Sequence, residues 1–262
     1  MKGPLQGAGI LITRPARQAG GFAQKIAAIG GTPVVFPAIV ILPPAEPAAL
    51  QRVQRGVAQY DYAVFVSANA VEYGVADPRQ WPRHLVAFAP GAGTAEALAA
   101  AGIAEIRVPL DRQDSDGLLA LPELTHPAGK RVIIFRGDDG REQLGETLRA
   151  RGALVDCVSC YRRAKPQSGV AGLVEAFAAG NIDAVTVTST EGLGNLWSLL
   201  DAMTRERWSR LPTFAPHARI VEHARGLGFH CVPTGPGDAG LVAGLLEWFA
   251  AHPFSPHPIS RN

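Results

Sequence analysis

An α/β fold of two similar lobes, each a parallel sheet flanked by helices and joined by a two-stranded linker, is predicted for this chain of 262 residues. Short apolar, β-branched segments alternate along the chain with segments of helical periodicity, which is typical of parallel sheets covered by helices. Four strand–helix segments occur twice at a near-constant offset. A length above roughly 250 residues also favours two cores over one.

The first segment sets the pattern for the others. A strand is predicted over residues 10–13, then a helix with apolar residues at Phe22, Ile26 and Ile29, and a stop at Gly30 and Gly31. Further strands, each followed by a turn and a helical pattern, are predicted over residues 63–66, 85–89, 132–135 and 184–188.

The repeat is the most informative feature of the sequence. The offset stays between 122 and 126 residues for four pairs, which are Arg14 with Arg136, Ser67 with Ser189, Pro90 with Pro216, and Gly117 with Gly240. Near-constant spacing over four segments indicates two copies of one structural unit.

The order of the copies leaves two domain arrangements open, because the second strand–Arg segment begins only at Val132, after the first copy is complete. The lobes are either sequential or exchange their first segments. Exchange is favoured, since the crossings it requires, residues 36–44 and 155–166, are β-branched and contain proline, as extended connectors do. It predicts one lobe of residues 1–36 and 167–262, and a second of residues 37–166 that includes the linker strands.

Composition excludes several classes of function. A net charge of +2 with 18% charged residues does not predict a nucleic-acid surface. No apolar run reaches the length of about 18 residues of a membrane helix, and the N-terminal residues lack the apolar core of a signal peptide. The cysteines Cys157, Cys160 and Cys231 are expected to be reduced thiols. These features predict a cytoplasmic protein.

Motifs of high specificity for catalysis are missing. The segment GAGTAEAL, which begins at Gly91, follows a strand and precedes a helix, but it lacks the third glycine of a dinucleotide-binding loop. His217 and His223 are six residues apart and do not share a helix face, so no metal site is predicted.

Polar residues and glycines gather instead where strands end, and this edge of a parallel sheet is where ligands bind. These positions are Thr13 and Arg14, residues 67–69, residues 91–94, Arg136 and Gly137, residues 188–191, and residues 215–217. Each leads into a helix whose first backbone N–H groups can bind carboxylates or phosphates. Helix capping alone explains any single position. Repetition in both halves favours a paired site for a large polyanion in a cleft between the lobes.

The segments ILITRP, DYAVFVSANAV, VAFAPGAGTAEALAAAGI, SDGLLALPEL, VIIFRGDDGREQLGETLRARGALVDCVSCYRR, DAVTVTSTEGL and GDAGLV occur in this order over residues 10–248. Together they resemble the uroporphyrinogen-III synthase family. The resemblance implies two α/β lobes with a discontinuous first domain and a two-stranded linker. It also implies a lyase that closes the linear tetrapyrrole hydroxymethylbilane with loss of water and inversion of ring D, through an azafulvene and a spirocyclic intermediate, without cofactor or metal.

The resemblance further implies the roles of individual residues. Tyr161, in the YRR motif, is the candidate acid that assists departure of the hydroxyl, although it is equally compatible with a structural role in the linker. The implied substrate-binding positions are Arg14, Ser67, Ala68, Asn69, Gly91, Thr94, Arg136, Gly137, Arg141, Thr188, Ser189, Glu191, Pro216 and His217. Where many family members carry Gly-Pro and a nearby threonine before the late helix, this chain has the residues Ala215, Pro216, His217 and Ala218, so a hydroxyl contact there is in doubt.

Two other classes of function are compatible with the sequence. A non-catalytic, two-lobed binding or regulatory protein for an anionic ligand would keep the fold without needing Tyr161. A dinucleotide or nucleotide-sugar enzyme would need the complete glycine motif that this sequence lacks. As an enzyme, the chain is expected to be a monomer whose partner is its small-molecule substrate, with at most transient contact with the preceding or following enzyme of the pathway.

Overall fold

In the computed structural model, residues 4–140 and 142–252 are described. The chain forms two compact units: unit one contains the residues up to Val40 and those from Ala164 onward, and unit two is Ile41–Arg163. The boundaries predicted from the sequence lie at 36/37 and 166/167. The first strand–helix segment thus belongs to the same unit as the last third of the chain.

Strands and helices alternate along the described residues. The strands are β1 (Gly9–Ile12), β2 (Thr32–Val35), β3 (Val40–Leu42), β4 (Tyr62–Phe65), β5 (Val86–Phe88), β6 (Ile106–Arg107), β7 (Arg131–Gly137), β8 (Leu154–Ala164), β9 (Ala184–Thr186), β10 (Thr213–Ala215) and β11 (Cys231–Pro233). The helices are α1 (Ala16–Ala28), α2 (Pro47–Arg55), α3 (Ala68–Gly74), α4 (Ala92–Ala100), α5 (Ser115–Leu119), α6 (Pro122–Thr125), α7 (Gln143–Ala150), α8 (Val170–Ala178), α9 (Thr190–Leu199), α10 (Ala202–Ser209), α11 (Ala218–Gly226) and α12 (Gly237–Ala251).

The two sheets place the repeated segments in the same order. Unit one has the strand order β11-β10-β9-β1-β2, and the sheet of unit two has the order β6-β5-β4-β7-β8 with β3 added beside β8. The pairings among β1, β2, β9, β10 and β11 are parallel, as are those among β4 to β8. The α/β fold class predicted from the sequence is therefore confirmed.

The apolar strands are buried on both faces because helices cover each sheet from both sides. In β1, Ile10 and Ile12 pack in one core cluster with Phe22, whereas Leu11 between them packs in another with Trp208. Successive side chains of a strand point to opposite faces, which explains this division. Unit two is built in the same way around two core clusters of its own.

Four of the predicted strands end earlier than the sequence indicates, before Thr13, Val66, Ala89 and Val187. Thr13 and Val187 follow neighbouring strands of the unit-one sheet. Threonine hydroxyls bond across the end of this sheet: Thr13 Oγ1 donates to the Thr186 carbonyl at 2.8 Å, and Thr186 Oγ1 donates to the Leu11 carbonyl at 2.9 Å. The buried hydroxyls are thus satisfied by neighbouring backbone where β1 and β9 lie side by side.

One glycine from each copy of the repeat lies in the first turn of a helix and packs against the backbone that precedes that helix. A Cβ atom added at Gly117 would lie 1.9 Å from the Arg112 carbonyl oxygen, and one at Gly240 would lie 2.0 Å from the Gly235 carbonyl oxygen. No side chain fits at either distance, so the tight turn before α5 and that before α12 both require glycine.

Candidate functional site

The predicted site residues of each unit follow the ends of three neighbouring strands. In unit one, β1 leads to Arg14, β9 leads to residues 188–191, and β10 leads to Pro216 and His217. In unit two, β7 ends at Arg136 and Gly137, β4 leads to residues 67–69, and β5 leads to residues 91–94. Because these strands are parallel, their ends lie along one edge of each sheet.

Serine caps the helix that follows the strand at the matching position of each unit. Ser67 Oγ accepts the Ala70 backbone N–H of α3 at 3.2 Å, and Ser189 Oγ accepts the Gly192 N–H of α9 at 2.9 Å. Each serine has an extended backbone, as helix N-caps do. The capping hydrogen bonds use one lone pair of each hydroxyl and leave its proton available for donation.

The residues beside the two caps differ in exposure. Ala68 is exposed, whereas Asn69, Thr188 and Glu191 are half-buried. Glu191 lies in the first turn of α9, where a carboxylate interacts favourably with the positive end of the helix. Direct binding of an anion at this helix start therefore has to compete with the Glu191 carboxylate.

Tyr161 lies on β8 and reaches the Ser67 cap from two strands away. Its side chain is 3% exposed, and its hydroxyl oxygen is 3.1 Å from Ser67 Oγ. The intervening strand β7 presents Gly137 opposite Tyr161, next to an irregularity of the strand register. A Cβ atom at Gly137 would be 3.0 Å from the tyrosine ring, so glycine allows the ring to lie over the end of β7.

A cavity of about 170 Å³ in unit two brings three of the predicted residues together. Its lining comprises Val66, Ser67, Gly137, Asp138, Asp139, Gly140, Tyr161 and Arg163. Asp138, Asp139, Gly140 and Arg163 are not among the site residues predicted from the sequence. The signal that could have identified them is position, since the first three directly follow the predicted site residues Arg136 and Gly137, and Arg163 belongs to the same YRR motif as Tyr161.

Arg14 is paired within its own unit. Its guanidinium bonds Asp238 Oδ1 at 2.6 Å and lies 4.5 Å from the centre of the Phe22 ring. Lys25 bonds the other oxygen of Asp238 at 2.8 Å. Burial raises the pKa of Asp238, but the hydrogen bonds from Lys25 and Arg14 outweigh burial and hold this pKa below its usual value of 3.8. Much of the Arg14 charge is thus compensated inside the protein.

Arg136 is used in a similar way in unit two. Its Nη1 donates to the Gly140 carbonyl at 2.9 Å, and its Nη2 forms an ion pair with Glu142. These contacts order the turn that follows β7 and thereby shape the cavity beside Tyr161. Arg141, also predicted to bind substrate, lies outside the described residues.

The remaining predicted residues occupy two further helix starts. Gly91 is the N-cap of α4, where a Cβ atom would come within 2.7 Å of Gln113 Oε1, and Thr94 is buried in the first turn of that helix. At the matching place in unit one, Pro216 is half-buried and the exposed His217 caps α11 without a side-chain hydrogen bond.

Two further properties bear on function. Within the described residues, no cluster of histidine, cysteine, aspartate and glutamate side chains has the arrangement of a metal site. Over the same part of the chain, no helix combines the length and apolar character needed to cross a membrane.

Comparison with known proteins identifies the family. A family model described as uroporphyrinogen-III synthase HemD matches residues 21–243. The uroporphyrinogen-III synthase of Salmonella typhimurium is 38% identical over 226 residues, covering 84% of this chain and 92% of the relative. The uroporphyrinogen-III synthase of Escherichia coli is 35% identical over 225 residues, which again cover 84% of this chain and 92% of the relative. These matches confirm the resemblance stated above.

Solved structures show the same fold. A uroporphyrinogen-III synthetase from Helicobacter pylori superimposes with a TM-score of 0.57 at 12% identity, covering 94% of this chain and 99% of that one. A mutant uroporphyrinogen III synthase from Thermus thermophilus gives a TM-score of 0.55 at 18% identity, covering 94% and 98%.

Proposed function

The chain belongs to the uroporphyrinogen-III synthase family, and we propose that it closes hydroxymethylbilane with loss of water and inversion of ring D to give uroporphyrinogen III. This is the reaction of a cyclising lyase in tetrapyrrole biosynthesis. The observation that carries the proposal is the hydroxyl pair of Tyr161 and Ser67, which lines a cavity at the ligand-binding edge of a parallel sheet.

We propose that the helix starts of both units bind the acetate and propionate carboxylates of the substrate. The first backbone N–H groups of a helix lack internal partners and favour negative charge. Ser67 and Ser189 each accept one N–H of their helix, and the Ser189 hydroxyl retains a proton that can be donated to a carboxylate. Arg14 and Arg136 already form ion pairs with carboxylates of the protein. In this proposal they therefore act mainly by fixing the conformation of the chain at the strand ends, and less by binding the substrate directly.

Tyr161 is proposed as the acid that assists the first step. The C–O bond of the hydroxymethyl group breaks, the phenol proton passes to the departing oxygen, and water leaves. The pyrrole left behind is a positively charged azafulvene, and Tyr161 becomes a phenolate. After carbon–carbon bond formation through the spirocyclic intermediate, the final ring carbon loses a proton, and a proton returns to Tyr161. One water is lost overall, without oxidant or reductant.

The geometry of the bound chain, more than acid strength, decides the product. Hydroxymethylbilane can lose water and close spontaneously to the symmetrical type I isomer, so the protein must hold ring D in the orientation that leads to inversion. Fixing reacting groups in one orientation accelerates a reaction strongly without a powerful nucleophile or base. A site rich in helix starts and hydroxyls, with a single acid, fits this requirement.

We further propose that the protein acts in the cytoplasm. Cys157, Cys160 and Cys231 are free thiols, as expected in a reducing compartment. Burial raises the pKa of Cys160 to about 12 and that of Cys231 to about 11, so both stay protonated and unreactive.

A coupled assay tests the proposed reaction. Hydroxymethylbilane is generated in situ, the protein is added, and the uroporphyrinogen isomers are oxidised and separated by chromatography, with heat-denatured protein as the control. We expect the type III isomer to predominate with native protein and type I with the control. Type I alone in the presence of folded protein would instead support a non-catalytic binding protein.

A further inference from the structure

The bond between Ser67 and Tyr161 joins two hydroxyls, either of which can be the donor, and the direction matters for Tyr161. Ser67 Oγ already accepts the Ala70 N–H, and its own proton is free to be donated. If Tyr161 donated its proton to Ser67, that proton would be turned away from the substrate. If Ser67 is the donor, the Tyr161 O–H remains available to the cavity that both residues line.

We propose that Ser67 is a positioning residue for Tyr161: it donates its hydroxyl proton to the phenol oxygen and thereby directs the Tyr161 O–H into the cavity. This inference rests on the proposed role of Tyr161 as the acid. The hydrogen bond from the Ala70 N–H holds the Ser67 oxygen in place, and the hydrogen bond from Ser67 sets the direction of the Tyr161 O–H.

The placement of the tyrosine ring supports this assignment. Tyr161 is 3% exposed, and its ring lies over Gly137, where an added Cβ atom would be 3.0 Å from ring atoms and 3.3 Å from the hydroxyl oxygen. A buried ring held against backbone has little freedom to turn, so the hydrogen bond at its tip determines where its proton points.

The arrangement also stabilises the product of proton transfer. When Tyr161 has given up its proton, the phenolate oxygen keeps the hydrogen bond from Ser67, which becomes charge-assisted and stronger. A hydrogen bond that strengthens as charge develops lowers the barrier to that step. Ser67 would therefore affect turnover more than substrate affinity.

Raman spectroscopy of the substrate-free protein tests the direction of the bond without any activity measurement. The intensity ratio of the tyrosine doublet is high for a phenol that accepts a hydrogen bond and low for one that donates. The Tyr161 contribution is isolated by subtracting the spectrum of Tyr161→Phe, and the chain has only 4 tyrosines. We expect an intensity ratio above that of a phenol that only donates, and this ratio should fall in Ser67→Ala, be kept in Ser67→Thr, and be unaffected by Ser189→Ala. A donor signature would overturn the proposal.

A double-mutant cycle tests whether Ser67 acts through Tyr161. We expect Ser67→Ala to lower kcat about tenfold in the wild-type background and less than about twofold in the Tyr161→Phe background, with Ser67→Thr restoring turnover. An equal loss in both backgrounds would show that Ser67 acts on the substrate independently, and would overturn the inference while leaving the proposed function intact.

The loss of the α3 cap is separated from the loss of the donor by Ser67→Asp, whose carboxylate caps the helix but cannot donate to Tyr161. We expect this variant to fold and to show the same low turnover as Ser67→Ala. Full activity of Ser67→Asp would contradict the proposal. If the wild-type protein itself forms only the type I isomer, the proposed function fails, and the Raman result still decides the direction of the bond.

Discussion

The hydroxyl oxygen of Tyr161 lies 3.1 Å from Oγ of Ser67, although 94 residues separate them along the chain. The contact exists because β8 and β4 lie on either side of β7, whose end is occupied by Gly137. The tyrosine ring crosses β7 where no side chain stands in its way. A helix cap and a buried phenol are joined in this way at the edge of the sheet where ligands bind.

Replacing Tyr161 with phenylalanine should separate catalysis from folding. The ring still packs over Gly137, so we expect a loss of only about 1 kcal/mol in the free energy of unfolding, from the missing hydrogen bond. We expect kcat for type III formation to fall at least about tenfold. Tyr73→Phe is the matched control, because its hydroxyl bonds the Ile41 backbone carbonyl at 3.3 Å and does not line the cavity. Unchanged turnover in Tyr161→Phe would remove this residue from the mechanism.

The Ser189 cap is expected to contribute to both stability and substrate binding. Ser189→Ala should cost about 1 kcal/mol of unfolding free energy, since the Gly192 N–H loses its partner, and should raise KM if the hydroxyl also donates to a substrate carboxylate. Asp201→Ala provides the control, because Asp201 caps α10 by accepting the Thr204 N–H at 2.7 Å and is not among the predicted site residues. Both variants should unfold at lower denaturant concentration. Equal KM values for Ser189→Ala and wild type would restrict Ser189 to a structural role.

The pairing of Asp238 with Arg14 and Lys25 should make stability depend on pH. The Asp238 pKa is lower in the folded protein than its usual value of 3.8, so the stability from this carboxylate is present above that pH and is lost as pH falls through the folded-state pKa. Asp238→Asn should cost about 1 kcal/mol at pH 7, after allowance for solvent screening. The difference from wild type should shrink in urea unfolding series carried to about pH 3. A constant difference across that range would contradict this account.

The paired glycines offer a purely steric test. A methyl group at Gly117 or Gly240 would overlap a backbone carbonyl oxygen, so we expect Gly117→Ala and Gly240→Ala each to lose about 3 kcal/mol of unfolding free energy. Gly20 lies exposed in α1 with nothing within 4 Å of its Cβ position, and Gly20→Ala should be stabilising by about 0.5–1 kcal/mol. Equal melting temperatures for the three variants would show that the turns adjust easily.

The repeat explains why the fold class could be predicted from the sequence. Apolar runs buried between helices identify parallel strands, and the constant offset identifies two copies of one unit. The same offset predicts that Ser67 and Ser189 occupy equivalent positions, and both are N-caps in the structure. Strand ends are less predictable, because whether Thr13 and Thr188 continue a ladder depends on partners that are distant in sequence.

The chemical environment of the site could not be predicted from the sequence. The pairing of Arg14 with Asp238 joins residues 224 positions apart, and no local pattern indicates it. The hydrogen bond of Tyr161 depends on the order of three strands and on the missing side chain at Gly137. Asp138 and Asp139 line the same cavity because the turn after β7 lies beside Tyr161, whose carbonyl accepts the Asp138 N–H at 3.1 Å, and this contact joins residues that are distant in sequence.

The fraction of type III isomer, measured against protein concentration, is the most direct test of the proposed reaction. At a fixed rate of hydroxymethylbilane supply, cyclisation by the protein competes with spontaneous closure. The proposed function predicts that the type III fraction rises with added protein until it accounts for nearly all the product. A fraction that stays at the value of the protein-free control, while the protein remains folded, would contradict it.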